Sequence, residues 1–356
     1  MAVTSASSEI AALNGLRGLA ALTVFVSHAG NAGIIPQVLG RGAGQMGVML
    51  FFTLSAFLLT HLYLEKPATK QNVRTFAVAR FARVYPLFIA VLSTGLIAHW
   101  VGLDRADYPY SIEFRTWLAN ALLAGRFHVF WTICTEFQFY LLFALMWVAG
   151  WRAGKPHTVA FWSALAACLL VFVDIYQYPS GPVFKTLHFF AAGVLAALAY
   201  SRLVASRSWT RWADIVLAAA LCAFVLSFPN IAAAWGATFN GFWSPWLLAL
   251  SFVIMIAAGS SHGRLARALG SRTGRLFGDL SFGIYLLHSP VVFYVAAGLG
   301  DRPTLVRFAA ASFITFALAS FSYRFLERPL RTTINGAFSG RKLDGDAAMR
   351  QPFLNS

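Results

Sequence analysis

Apolar residues run through this chain in stretches too long for strands. Ten of them, at roughly 11 to 30, 46 to 64, 84 to 103, 129 to 150, 157 to 175, 183 to 201, 213 to 228, 244 to 258, 277 to 297 and 304 to 326, are apolar on nearly every face and separated by polar connections. A helix needs about 20 such residues to cross a bilayer, and one that is apolar all round belongs in lipid or a large core. The pattern predicts an all-α, polytopic membrane bundle of about ten transmembrane helices. An even count puts both termini on one side. The seventh and eighth stretches are short, which suits tilted helices or a re-entrant pair. The expected organisation is an N-terminal tail over 1–10, one transmembrane domain over 11–330, and a polar, Gly-containing tail over 331–356 that is expected to be disordered.

Composition agrees. Of 356 residues, 58% are hydrophobic and 12% charged, against about 25% charged in soluble domains. A net charge of +15 could point to nucleic acid. However, the connections 65 to 83, 151 to 156, 201 to 212 and 259 to 276, with the tail from Arg324, hold 20 of the 28 Lys and Arg residues. That distribution orients a membrane protein, with basic loops inside, and no nucleic-acid partner is expected. The termini are then cytoplasmic, and the expected location is the cytoplasmic (inner) membrane of a bacterium. Cys134, Cys168 and Cys222 lie in apolar stretches without metal-ligand spacing and read as small core residues. No basic n-region precedes the first apolar stretch, so a cleaved signal peptide is not expected.

Chemistry is sought where ionisable groups interrupt the spans, because each costs on the order of 2.5–3.5 kcal/mol to insert. Arg17 and His28 are eleven positions apart, about three helical turns, so they share a face about 16 Å from end to end. Either they snorkel to opposite interfaces, or they line a polar cleft with a charge clamp at the inner mouth and a base deeper in. Arg80 and Arg83 share a face at the inner surface. They either satisfy the orientation bias or join Arg17 in holding a phosphorylated cytosolic ligand. Ser55 falls mid-span, where a hydroxyl can bond back to its own helix. Glu136, flanked one turn either way by Thr132 and Tyr140, must be paired or protonated; it meets either an arginine or His28, whose tautomer it would orient. His288 lies between Tyr285 and the kinking Pro290, as a structural hydrogen-bonder or a second catalytic group. Asp174, Lys185 and His188 read as outer-interface residues. Trp235, Trp243 and Trp246 read as interface anchors or sugar-stacking rings. Glu327 with Arg324 and Arg328 reads as an ion-pair cluster, with Pro329 as a helix stop.

Six strings in order resemble the acyltransferase 3 family of integral membrane proteins. They are Gly15-Leu-Arg-Gly with Arg17 and His28, Phe51-Phe-x-x-Ser55, Arg80-x-x-Arg83 followed by Tyr85-Pro86, Trp131-x-x-x-x-Glu136-x-Gln138-Phe-Tyr140, Leu280-Ser-x-x-Ile-Tyr285-Leu-Leu-His288, and Ser322-Tyr-Arg-Phe-Leu-Glu-Arg-Pro329. One departure is Ala56, where the family usually has Gly, which narrows the approach of a ligand to the backbone. The family also has members with an appended extracytoplasmic esterase-like domain, for which this length leaves no room. The resemblance implies transfer of an acyl group, most often acetyl, from cytosolic acyl-CoA as co-substrate to a hydroxyl of a carbohydrate or glycosylated acceptor on the outer side. No permanently bound cofactor and no metal is implied. Arg17, Arg80 and Arg83 would hold the donor, His28 would act as general base with Glu136 beside it, and Ser55, Tyr140 or Tyr285 would donate to the oxyanion. The rival class is a transporter or flippase using the same Arg, His and Glu residues as a pathway; a catalytically dead scaffold is a third.

Overall fold

The computed structural model describes residues 3–102, 108–177, 182–238 and 244–338. In chain order the helices are α1 (Val3–Asn31), α2 (Ala43–Tyr63), α3 (Lys70–Trp100), α4 (Phe114–Ala121), α5 (Trp131–Arg152), α6 (Pro156–Gln177), α7 (Pro182–Leu203), α8 (Arg207–Leu226), α9 (Pro229–Ala234), α10 (Pro245–Ser260), α11 (Arg264–Leu269), α12 (Arg272–Gly298), α13 (Thr304–Ser322) and α14 (Arg328–Phe338). Among the described residues there is no strand. Each of the ten apolar stretches falls on a helix. Among the described residues, seven helices, those spanning α2, α3, α5, α7, α8, α12 and α13, are long and apolar enough to cross a membrane. The protein is an integral membrane protein. α10 is a shorter apolar helix.

The helices overrun the expected boundaries. α1 reaches back to Val3 into the expected tail, and α3 begins at Lys70, within the connection expected over 65 to 83, so Arg80 and Arg83 share a helical face as expected. The Thr69 side chain accepts from the backbone N–H of Asn72 and caps that early start. Pro329 does not stop the last helix. A π-helical turn over Tyr323–Glu327 joins α13 to α14, and Pro329 falls directly after that turn, in the first turn of α14. The rest of the C-terminal tail, from 339 on, and Trp243 lie outside the described residues, as does the side chain of Asp174. His188 is buried rather than interfacial, Cys222 is exposed on α8 rather than in the core, and Trp246 donates to Ser227 Oγ at 3.0 Å.

α1 is the axis of the bundle, packed against α2, α10, α11 and α12. Small residues permit this. A Cβ at Gly18 would lie 2.6 Å from Phe277 Cβ on α12, and one at Gly47 on α2 would lie 2.6 Å from the Ala20 carbonyl oxygen. Backbones in contact on both flanks hold α1 in register, so the polar groups on its exposed stripe face the interior of the bundle.

Candidate active site

At one end of α1, Arg17 Nη1 donates to Asn14 Oδ1 at 3.2 Å, and Asn14 Nδ2 donates to Asp279 Oδ1 at 3.0 Å. The amide stands between guanidinium and carboxylate, which positions Arg17 without pairing it directly. Arg80 and Arg83 of α3 line the same cavity as Arg17, with Ser55 of α2 and Glu136 and Tyr140 of α5. Glu136 Oε1 accepts from Ser55 Oγ at 2.8 Å and from the Tyr140 hydroxyl at 2.6 Å. Arg80 Nε is buried without a hydrogen-bond partner. A buried open donor on a half-buried cation is costly, and an anion entering this cavity would satisfy it. The cavity is narrow, about 80 Å³.

At the other end of α1, His28 Nδ1 lies 3.0 Å from His288 Nε2, and His288 Nδ1 lies 3.0 Å from the Ile284 carbonyl oxygen. A carbonyl only accepts, so a neutral His288 carries its proton on Nδ1 and offers a lone pair at Nε2. His28 must then donate from Nδ1, which leaves the lone pair on His28 Nε2 available. The ring of His288 is fully buried, edge-on to Phe25. Its helix is shaped locally by Pro290, whose missing N–H frees the carbonyl of Leu286, and the Tyr110 hydroxyl fills that vacancy at 2.7 Å. His28 opens into a second cavity of about 290 Å³, lined also by Gln45, Val48, His128, Trp131 and Tyr285.

The two cavities share Val48 and Tyr285. Tyr285 is anchored there: its hydroxyl donates to the Val129 carbonyl at 3.2 Å and accepts from Thr132 Oγ1 at 2.9 Å.

The nine residues singled out by sequence divide between these sites. Arg17, Arg80, Arg83, Ser55, Glu136 and Tyr140 gather in the narrow cavity, His28 and His288 at the wide one, and Tyr285 at the junction. The expected pairing of His28 with Glu136 gives way to His28 with His288. Depth is the reason: Val129 and Trp131 of the same chain segment line the His28 cavity, and Glu136 lies five to seven residues on, about 7–10 Å further along the helix. His128 went unnoticed. Its signal was a polar residue directly before a span that already carried a carboxylate. Among the described residues, no three His, Cys, Asp or Glu side chains gather as a metal-binding group.

A family model described as an acyltransferase domain matches residues 10–324. The chain belongs to the acyltransferase 3 family. YrhL of Bacillus subtilis is 24% identical over 93% of this chain and 56% of its own length. The peptidoglycan O-acetyltransferase OatA of Listeria monocytogenes is 24% identical over 90% of this chain and 56% of its own length. The acyltransferase MdmB of Streptomyces mycarofaciens is 31% identical over 38% of this chain and 39% of its own. The chain thus spans a little over half the length of YrhL and OatA. No solved structure matches it. In this acyltransferase 3 protein, the first five motif strings fall on helices that line the two cavities, and the sixth runs through the π-helical turn at Tyr323–Glu327.

Proposed function

We propose that the protein is a membrane O-acyltransferase that moves an acyl group, most often acetyl, from cytosolic acyl-CoA to a hydroxyl of a carbohydrate acceptor on the outer face. The observation that carries this reading is the junction at Tyr285, where a guanidinium-lined cavity adjoins an imidazole with a free ring nitrogen. In this orientation the termini and basic connections are cytoplasmic, in the inner membrane of a bacterium, and ten helices cross. Arg17, Arg80 and Arg83 hold the phosphates of the donor at the mouth of the narrow cavity. A cavity this narrow admits the flexible thioester arm and leaves the nucleotide outside.

His28 Nε2 takes the proton of the acceptor hydroxyl as its oxygen attacks the thioester carbonyl. The carbon–sulfur bond then breaks, and the departing thiolate takes the proton back from His28. His288 orients the imidazole and keeps the proton on Nδ1. Glu136 balances the charge of the arginine cluster and is not in contact with His28. For the oxyanion, Tyr285 stands nearest the junction and would have to turn its hydroxyl from the Val129 carbonyl, while the Ser55 and Tyr140 hydroxyls already serve Glu136.

The test is thioester consumption by the purified protein in detergent. Wild type should release free coenzyme A from acetyl-CoA, and His28→Ala should lose that activity by at least about 100-fold, within the range typical of a general base. Solute movement in sealed vesicles without acyl-CoA, together with an inert thioester assay, would establish the transporter reading instead.

A further inference from the structure

Three residues of the wide cavity have no role in the donor chemistry: Gln45, His128 and Trp131. His128 is the informative one. Its backbone has φ +41°, the left-handed region that residues other than glycine seldom enter, histidine being among those that tolerate it better. Such a conformation is held only where surrounding structure enforces it, and it clusters at functional sites. Here it aims an imidazole at the base. The His128 ring stands 6.3 Å from the His28 ring, at 82°, and is braced from behind by Tyr110 at 5.4 Å. Tyr110 is the same residue that caps the freed Leu286 carbonyl beside His288, so one side chain steadies both neighbours of His28.

The geometry points to a subsite for a neutral carbohydrate, in which His128 holds the acceptor hydroxyl, or its neighbour on the sugar ring, against His28 Nε2. With the ring centroids 6.3 Å apart, the gap between the two imidazoles is of the size that a hydroxyl, or a vicinal pair, bonding at about 2.8 Å would fill. The cavity contributes an amide at Gln45 and an indole face at Trp131, and none of its lining residues is a Lys, Arg, Asp or Glu. That chemistry suits an uncharged polyol: hydroxyls meet imidazole and amide, and the apolar face of the sugar meets the ring. A run of aromatic rings leads in from the surface. Tyr294 is 47% exposed and packs 5.3 Å from Tyr108, which in turn lies 6.2 Å from Tyr110.

This inference rests on the acyl-transfer reading, and the experiment separates the two. His128→Asn keeps a residue that tolerates the left-handed backbone, and His128→Gly relieves the backbone altogether. Two quantities are measured for each. One is hydrolysis of acetyl-CoA by the purified full chain, with water in place of the acceptor. The other is base-labile acetyl on the envelope carbohydrate of a deletion strain complemented by each variant. Expected are an unchanged KM for acetyl-CoA in the hydrolysis assay, a melting temperature no lower for His128→Gly, and an at least tenfold loss of envelope acetyl for both variants. Parallel loss of both activities, with a lowered melting temperature, would make His128 a structural residue and overturn the assignment. Unchanged envelope acetyl in the variants would overturn it too. If wild type restores no carbohydrate-borne acetyl, the ligand class is wrong. If wild type leaves acetyl-CoA intact, the donor reading fails, and the envelope measurement still decides His128.

Discussion

His288 reaches no substrate in this mechanism, yet the rate depends on it. Replacing it with Leu removes the acceptor for the Nδ1–H of His28 inside a fully buried setting, since His288 has 0% exposure and the bond is 3.0 Å long. A buried donor left unpaired costs about 1–3 kcal/mol. The cost falls on the one tautomer that leaves His28 Nε2 free, and at about 1.4 kcal/mol per tenfold this amounts to a loss of roughly 5–150-fold in kcat. On the proposed reading donor binding lies on the other side of Tyr285, so KM for acetyl-CoA should stay put. His288→Gln places an amide oxygen near the former Nε2 and should recover activity to within about tenfold of wild type by restoring that single bond. Initial rates of coenzyme A release, taken across acetyl-CoA concentrations for wild type, His288→Leu and His288→Gln, read all of this. A Leu variant as fast as wild type, or Gln and Leu variants equally slow, would refute the tautomer argument. A change in KM alone would do the same.

Arg80→Gln removes the guanidinium whose Nε is buried and unpartnered; KM for acetyl-CoA should rise about tenfold or more, with kcat nearly unchanged, and S-acetyl pantetheine, which carries no nucleotide, should not distinguish the variant from wild type. Tyr110→Phe leaves the Leu286 carbonyl without its donor and should destabilise the protein by about 1–3 kcal/mol, read as a lower melting temperature in detergent. Gly18→Val pushes a branched side chain into α12 where even a Cβ would lie 2.6 Å from Phe277 Cβ, and the variant should fail to accumulate in the membrane. Wild-type levels would show that α1 and α12 are not in contact there.

The helical architecture was legible because apolar runs without polar interruption have one physical outcome in a bilayer, and each of the ten runs is a helix. Their ends were less legible. Lys70 to Arg83 is polar enough to read as a loop, and only the Thr69 cap together with the packing of α14 on α3 carries the helix through it. Arg17, His28 and Glu136 stood out because charge inside a span needs an explanation. Which of them meet did not follow from sequence, since pairing depends on depth across separate helices. His28 and Glu136 were expected together on similar distance from an outer end, and about two turns of α5 separate Glu136 from the residues around His28. His288 was visible next to Pro290, but its role depends on which ring nitrogen faces Ile284. His128 was hidden because its distinguishing property is a backbone angle.

The neck at Tyr285 bears on how such an enzyme coexists with an energised membrane. A continuous water-filled passage between the two faces would let protons and small ions drain the gradient the cell lives on. A phenol ring tied at both sides of its hydroxyl, with Val48 beside it, stands where the two cavities meet, and on the proposed reading it keeps them two chambers back to back rather than one pore. On the proposed reading only a slender acyl-bearing arm ever crosses that partition, and the spent coenzyme withdraws to the side from which it came.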